Sequence, residues 1–438
     1  MTLKRIISTA KTWLLAFLVG ASLVLSYELW IGFWGGGSKA VGTEVLPTPA
    51  SHTPTTQELE TPARIIVYDA RTDKYTLAMP GTTPFAEWMK LMTSGMVTLS
   101  REVPVNSVKL HDTVELDFGY SLNRTQLLEL IPSLKSYNVS GGTSSIILDW
   151  NPSTNAVYIL VPTADGTTET LMETTIYGQN FAKLLQQSDE GPAWREITTS
   201  GSPPSFVPAK SIDMIQSLWQ YKDNVQMSLV HSFFLNPLAL TSLNESGQSY
   251  VWTDGSRIVW WNQPKMELTF QDPNDVNVNS VALPTVGMAV DFIRAHGGAP
   301  INATALSEGL IPGTQYIDSF TMRPHLFGYP LVDGSADYQV QFTVGQITEY
   351  QRPIWTLTDM VSEKRVRVIG YSQLTKDLHR ISPSTQWSQV SVELGYATIP
   401  LKNHEVRLVP AYVISSDGIT MWTLSATTGQ LMKGWDAP

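Results

Sequence analysis

The chain has 438 residues, 42% of them hydrophobic and 16% charged, with a formal net charge of -10 and no cysteine. That length predicts roughly two to four domains rather than one core. The missing cysteines exclude disulfides, thiolate metal sites and a thiol nucleophile, and the acid excess argues against nucleic acid as a partner.

Thr12 to Tyr27 carry no charge, and the apolar character resumes after Glu28 as far as Trp34. Trp13 to Trp34 is 22 residues, or roughly 33 Å of helix, enough to span a hydrocarbon core of about 30 Å. Lys4, Arg5 and Lys11 precede it, so the N-terminus is expected in the cytoplasm and the bulk of the chain outside the cell membrane. Tyr27, Trp30, Phe33 and Trp34 fit an aromatic belt at the outer interface. Ala16 and Gly20, like Ser22 and Ser26, are four residues apart. This spacing lets membrane helices approach closely, which makes these four the candidate helix-contact positions. The alternative is a cleaved signal peptide, with Val19-Gly20-Ala21 before Ser22 as the cleavage site. Cleavage there would leave an apolar, aromatic N-terminus, so a single-pass anchor is the reading carried forward. Residues 35–62 are rich in Gly, Pro and Thr and read as a flexible linker.

The remainder divides at Pro- and Gly-rich punctuation into 63–205, 206–313 and 314–438. In the first, Ile65–Tyr68 reads as a strand, and Phe85, Trp88, Met89 and Met92 mark a helix after Pro84. Leu127 to Leu134 suggest a second helix, disturbed by Pro132. Ser145–Asp149 and Ala156–Val161 read as strands, and Phe181, Leu184 and Leu185 as a third helix. In the second region, Ile212, Ile215 and Trp219 share one helical face. Ser249–Trp261 reads as a hairpin turning at Asp254-Gly255. Val286, Val290 and Ile293 line a helix that Gly297-Gly298 closes. In the third, Asp333-Gly334 separates two strands, and Leu374, Leu378 and Ile381 share a helix face. Val390–Tyr396, Val406–Ser415 and Ile419–Leu424 form a meander. The predicted class is α+β: one transmembrane helix, then a multi-domain extracytoplasmic region of antiparallel sheets with packed helices.

No chemistry emerges from the motifs. The histidines His52, His111, His231, His296, His325, His379 and His404 include no His-x-x-x-His pair. There is no nucleophile elbow, phosphate loop or dinucleotide fingerprint. Asp272, Asn274, Asp275, Asn277 and Asn279 form an oxygen-rich loop without the Gly and Glu of a calcium loop. Trp252, Trp260 and Trp261 invite a carbohydrate-platform reading, but adjacent strand residues face opposite ways, and core packing accounts for most of them. No catalytic residue, cofactor or metal is therefore expected.

The exit of the apolar segment, Ser22-Leu23-Val24-Leu25-Ser26-Tyr27-Glu28-Leu29-Trp30, resembles that of the YycH family. Phe233-Phe234-Leu235-Asn236-Pro237 precedes Thr253-Asp254-Gly255-Ser256-Arg257, and Gly328-Tyr329-Pro330 precedes Tyr350-Gln351-Arg352-Pro353, in an order similar to that family's. The resemblance implies a Gram-positive, non-enzymatic regulator of the YycFG (WalKR) two-component system, acting negatively. Its partners would be the YycG (WalK) sensor histidine kinase and a YycI-like protein, contacted through membrane helices. It also implies that the middle and C-terminal domains are YycI-like; a homodimer is left open. A receptor for a peptidoglycan fragment or peptide, and more remotely an envelope hydrolase, are the competing readings.

Overall fold

The structure, a computed structural model, describes residues 61–432 except 106, 138, 164–165, 198–203, 224–226, 246–248, 274–283, 299–302, 311–316, 384–389 and 417–418. The expected membrane segment, with Ala16, Gly20, Ser22, Ser26, Tyr27, Trp30, Phe33 and Trp34, lies outside the described residues, as does nearly all of the linker. Among the described residues no helix is long and apolar enough to cross a membrane.

The chain first forms β1 (Arg64–Asp69), β2 (Lys74–Ala78), α1 (Thr83–Ser94), β3 (Val97–Pro104), β4 (Asp112–Leu122), α2 (Arg124–Leu130) and β5 (Thr143–Asn151). It continues with β6 (Ala156–Pro162), β7 (Thr168–Thr174), α3 (Gly178–Asp189), β8 (Trp194–Ile197) and β9 (Ser205–Pro208). The nine strands make one antiparallel sheet in the order β3-β7-β6-β5-β4-β1-β2-β8-β9. Period-two patterning sets its faces: Val114, Leu116, Phe118 and Tyr120 of β4 are buried, while Glu115 and Asp117 lie on the other side. Phe85, Trp88, Leu91 and Met92 bury one face of α1, and Trp88 meets Phe181 of α3 edge-on at 5.1 Å. α2 starts on a reciprocal cap between Asn123 and Gln126 and stops before Pro132, where a 3₁₀ turn takes over.

Next come β10 (Ile212–Asp223), α4 (Met227–Ser232), β11 (Thr241–Glu245), β12 (Ser249–Thr253), β13 (Ile258–Asn262), β14 (Glu267–Gln271) and α5 (Val286–Ala295). They are followed by β15 (Ala303–Leu310), β16 (Ile317–Leu326), β17 (Tyr329–Pro330), β18 (Tyr338–Thr343) and β19 (Gln346–Pro353). A second antiparallel sheet runs β11-β12-β13-β14-β19-β18-β16-β15. The β12–β13 turn forms at Asp254-Gly255: Gly255 has φ +94°, and the Asp254 carboxylate accepts the Ser256 and Arg257 amides. Gly298 donates to the Ile293 carbonyl at 2.8 Å and closes α5, as its two glycines predict. Leu306 of β15 bridges Gly119 of β4, joining the first two sheets. A side chain at Gly119 would fall 2.3 Å from Leu306 Cδ2 and 2.8 Å from the Ala305 carbonyl, so this contact requires glycine.

Last come β20 (Trp355–Val368), α6 (Tyr371–Ile381), β21 (Ser391–Leu401), β22 (Glu405–Ser416) and β23 (Ile419–Ser425). The third sheet runs β20-β10-β22-β21, with β23 sharing the β22 edge used by β10. The expected meander is present as β21-β22-β23, and Leu374 and Leu378 bury the face of α6.

One expectation is overturned. Ile212, Ile215 and Trp219 lie on strand β10, not on a helix. β10 pairs with β20 from Ile212–Val368 to Asp223–Trp355, and with β22 on its other side. Ile212 to Leu218 pair with β20 without a break in register, so Ile212 and Ile215 fall on opposite faces of the strand. The three- and four-residue spacing of Ile212, Ile215 and Trp219 imitates a helix, and sheet pairing overrides it.

Candidate functional site: a cleft between the sheets

The solvent-side face of the first sheet lies against the C-terminal sheet and leaves a half-open cavity of about 600 Å³ between them, within the usual size of small-ligand sites. Arg64 and Ile66 of β1, Leu77 of β2, Glu115 and Asp117 of β4, and Ser145 of β5 form one wall. Ser391 and Glu393 of β21 form the other, paired in register with Ser415 and Val413 of β22. Trp194 and Phe206, from β8 and β9, and His325, Tyr329 and Pro330 complete the lining.

The charges are unevenly satisfied. Arg64 Nε donates to Asp117 Oδ2 at 2.7 Å, its Nη2 donates to the Pro204 carbonyl at 2.8 Å, and its guanidinium lies over the Phe206 ring. Across the cavity, Arg323 donates to Glu393 at 3.0 Å and to both oxygens of Asp337. Glu115 has no such base. Burial pushes its carboxyl up to about 7, aided by the charges of Asp117 and Glu196 and opposed by Arg64 and by a hydrogen bond with Ser145. Trp194 is only 6% exposed, and its Nε1 has no hydrogen-bond partner among the described residues.

The raised Glu115 carboxyl has a consequence for stability. Its folded value lies above the ordinary 4.5, so the folded state binds the proton more readily. Stability is therefore lost as pH rises from about 4.5 through 7. Glu115→Gln is expected to raise stability by about 2 kcal/mol at pH 8 and by far less at pH 5. Thermal melts at both pH values check this; equal effects would mean the carboxylate is well solvated.

Of the family-like segments, Tyr329 and Pro330 line this cavity, whereas Phe233, Arg257, Tyr350 and Arg352 meet in the second sheet's core. Phe233 stacks on Phe270 at 4.9 Å and on His296 at 4.5 Å, and Phe292 meets Tyr350 edge-on. Arg257 donates to Asp272 at 2.6 Å and to the Phe233 carbonyl at 3.3 Å. Arg352 is buried, donates to the His296 carbonyl at 2.6 Å and lies over the Tyr338 ring. Burial lowers the His296 pKa, so the ring is neutral at pH 7. These residues hold the fold together. Asp272 of the oxygen-rich loop is bound to Arg257; Asn274, Asp275, Asn277 and Asn279 lie outside the described residues. Trp252 is buried and Trp261 stacks on Tyr250, whereas Trp260 belongs to the opposite face. His111 Nδ1 lies 3.2 Å from Asp149, whose other oxygen accepts the His111 amide. Among the described residues, no three His, Asp or Glu side chains gather as a metal site.

Sequence reading did not single out Glu115, Arg64 or Trp194. Glu115 and Asp117 alternate with apolar residues as any solvent face does. Only the approach of a second sheet turns that face into a cavity.

No family model and no curated protein matches the sequence. Among solved structures, the crystal structure of YycH from Bacillus subtilis matches with a TM-score of 0.62 and 12% identity, covering 84% of this chain and 97% of that one. An uncharacterized protein from Eubacterium rectale ATCC 33656 matches at TM-score 0.34 and 10% identity, over 50% of this chain and 86% of that one. The described part of this chain thus has a YycH-like, sheet-rich α+β fold.

Proposed function

We propose that this protein is a membrane-anchored, extracytoplasmic, non-catalytic regulator of a cell-wall sensor histidine kinase. The supporting observation is the likeness in fold to the crystal structure of YycH from Bacillus subtilis along 97% of that solved chain. The N-terminal sequence agrees with it: Lys4, Arg5 and Lys11 precede an apolar segment ending in Tyr27, Trp30, Phe33 and Trp34. In this reading the segment is an uncleaved single-pass anchor, and the linker 35–62 tethers the globular part outside the cell.

Mechanistically, the kinase's membrane helices interconvert between signalling states. An accessory helix that packs better against one state shifts the balance toward it. Ala16, Gly20, Ser22 and Ser26 are the positions for close helix contact, with a kinase of the YycG type and a YycI-like protein as partners. A coupling of about 1–3 kcal/mol corresponds to about a 5- to 150-fold change in the balance, and the family resemblance makes its sign inhibitory.

Replacing Trp13–Trp34 with an unrelated membrane helix is the test. The expected outcome is loss of kinase co-purification and of the effect on kinase output, with the protein still in the membrane. Unchanged recovery and output would place the contact outside the helix and overturn the mechanism.

A further inference from the structure

We propose that the turn between α4 and β11 is a lipid-contacting tip, which rests the globular part of the protein on the membrane surface. This builds on the membrane-anchored reading and adds to it a second point of contact with the bilayer.

Residues 224–244 are the longest stretch of the chain without Asp, Glu, Lys or Arg: 21 residues, against 16 for the run from Thr12 to Tyr27 in the expected anchor. At the chain's own 16% charge, a run of that length would carry about three charged residues. The stretch is not uncharged because it is buried. Phe233 and Phe234 are in the core, but Leu235 and Leu238 just beyond them are 81% and 98% exposed. Met227 of α4 and Leu243 of β11 are exposed as well.

The two leading leucines are held out by a built turn. Pro237–Ala239 form a 3₁₀ turn, in which the Asn236 side chain accepts the Leu238 amide at 3.3 Å and the Asn236 carbonyl accepts the Ala239 amide at 3.1 Å. Its root is fixed by Phe233, which stacks on Phe270 and His296. A tip held in this way loses little conformational freedom when its leucines are buried.

The chemistry of the tip selects lipid over protein. A single exposed leucine is ordinary, but four large apolar side chains in one uncharged stretch mark a contact surface. The stretch contains no Trp, Tyr or Arg, the residues that dominate the energetics of protein interfaces. A bilayer needs no shape complementarity; it takes up apolar area and rejects charge. In the anchored reading a bilayer is also within reach, since a coil the length of residues 35–62 spans about 30 Å.

The chain has no cysteine, so Leu238→Cys offers a single site for a fluorescent label. The test is full-length protein in vesicles of phosphatidylethanolamine and phosphatidylglycerol, with and without doxyl-labelled lipid. Leu99→Cys, at another exposed leucine on β3, is the control. Quenching by the doxyl lipid is expected to be about threefold or more stronger at 238 than at 99. Leu235→Asp, a change at an exposed position, should remove most of that excess. Protein that floats with the vesicles but is quenched equally at both sites would overturn the tip and leave the anchor standing. Protein that does not float would overturn the anchor, and the tip with it. A label at 238 that stays in water in lipid alone and is shielded only when the kinase is added would assign the tip to a protein partner and overturn the proposal.

Discussion

Replacing Arg352 with alanine is expected to lower the free energy of unfolding by about 3–5 kcal/mol. Arg352 lies on β19 in the middle of the second sheet, buried against Tyr338 and beside Tyr350. Truncation would remove its bond to the His296 carbonyl, leaving that carbonyl at the end of α5 without its donor. It would also empty the space beside Gly297, where a Cβ would already lie 2.2 Å from the guanidinium. Arg352→Met fills most of the volume and buries no charge, so its expected cost is about 1 kcal/mol. Urea denaturation of both variants distinguishes the terms. Equal losses would assign the effect to the hydrogen bond, and losses below about 1 kcal/mol in both would remove Arg352 from the core's support.

The second large effect is expected at Asp333, where Asp333→Ala should cost about 3 kcal/mol. Its carboxylate accepts from the Thr398 amide at 2.6 Å and hydroxyl at 2.7 Å, and from the Ser335 hydroxyl at 2.8 Å and amide at 3.3 Å. Burial pushes its carboxyl up, and these same bonds hold the charge in place against that tendency. The network pins the turn after β17 to β21, and both flank the cavity through Tyr329, Pro330 and Glu393. Asp333→Asn keeps an acceptor at the site and should lose less than half as much. Denaturation midpoints check this; equal stability of the alanine variant would show that the turn is held by other contacts.

Helices α1, α5 and α6 were legible in the sequence because each carries its apolar residues at helical spacing: Phe85, Trp88 and Met92 in α1, Val286, Val290 and Ile293 in α5, Leu374 and Leu378 in α6; α4 (Met227–Ser232) was not. The turns at Asp254-Gly255 and Gly297-Gly298 were legible because positive φ selects glycine there. β10 was not, because Ile212, Ile215 and Trp219 stand at helical spacing although the segment pairs as a strand. Nor was its placement: it joins the C-terminal sheet before the chain builds the second one, then meets β20 on the return. Long-range pairing of this kind leaves no local trace. The family-like segments were legible as markers of the fold, since Phe233, Arg257 and Arg352 gather in one core. The cavity was not, because Glu115 owes its character to a wall far away in sequence.

The most direct measurement of regulation is autophosphorylation of the host's cell-wall sensor kinase in lipid nanodiscs, with and without the full-length protein. A fall of about fivefold or more on adding the protein is expected, together with loss of that fall when Trp13–Trp34 is exchanged. An unchanged rate, with both proteins in the same disc, would contradict a regulator that acts on the kinase within the membrane.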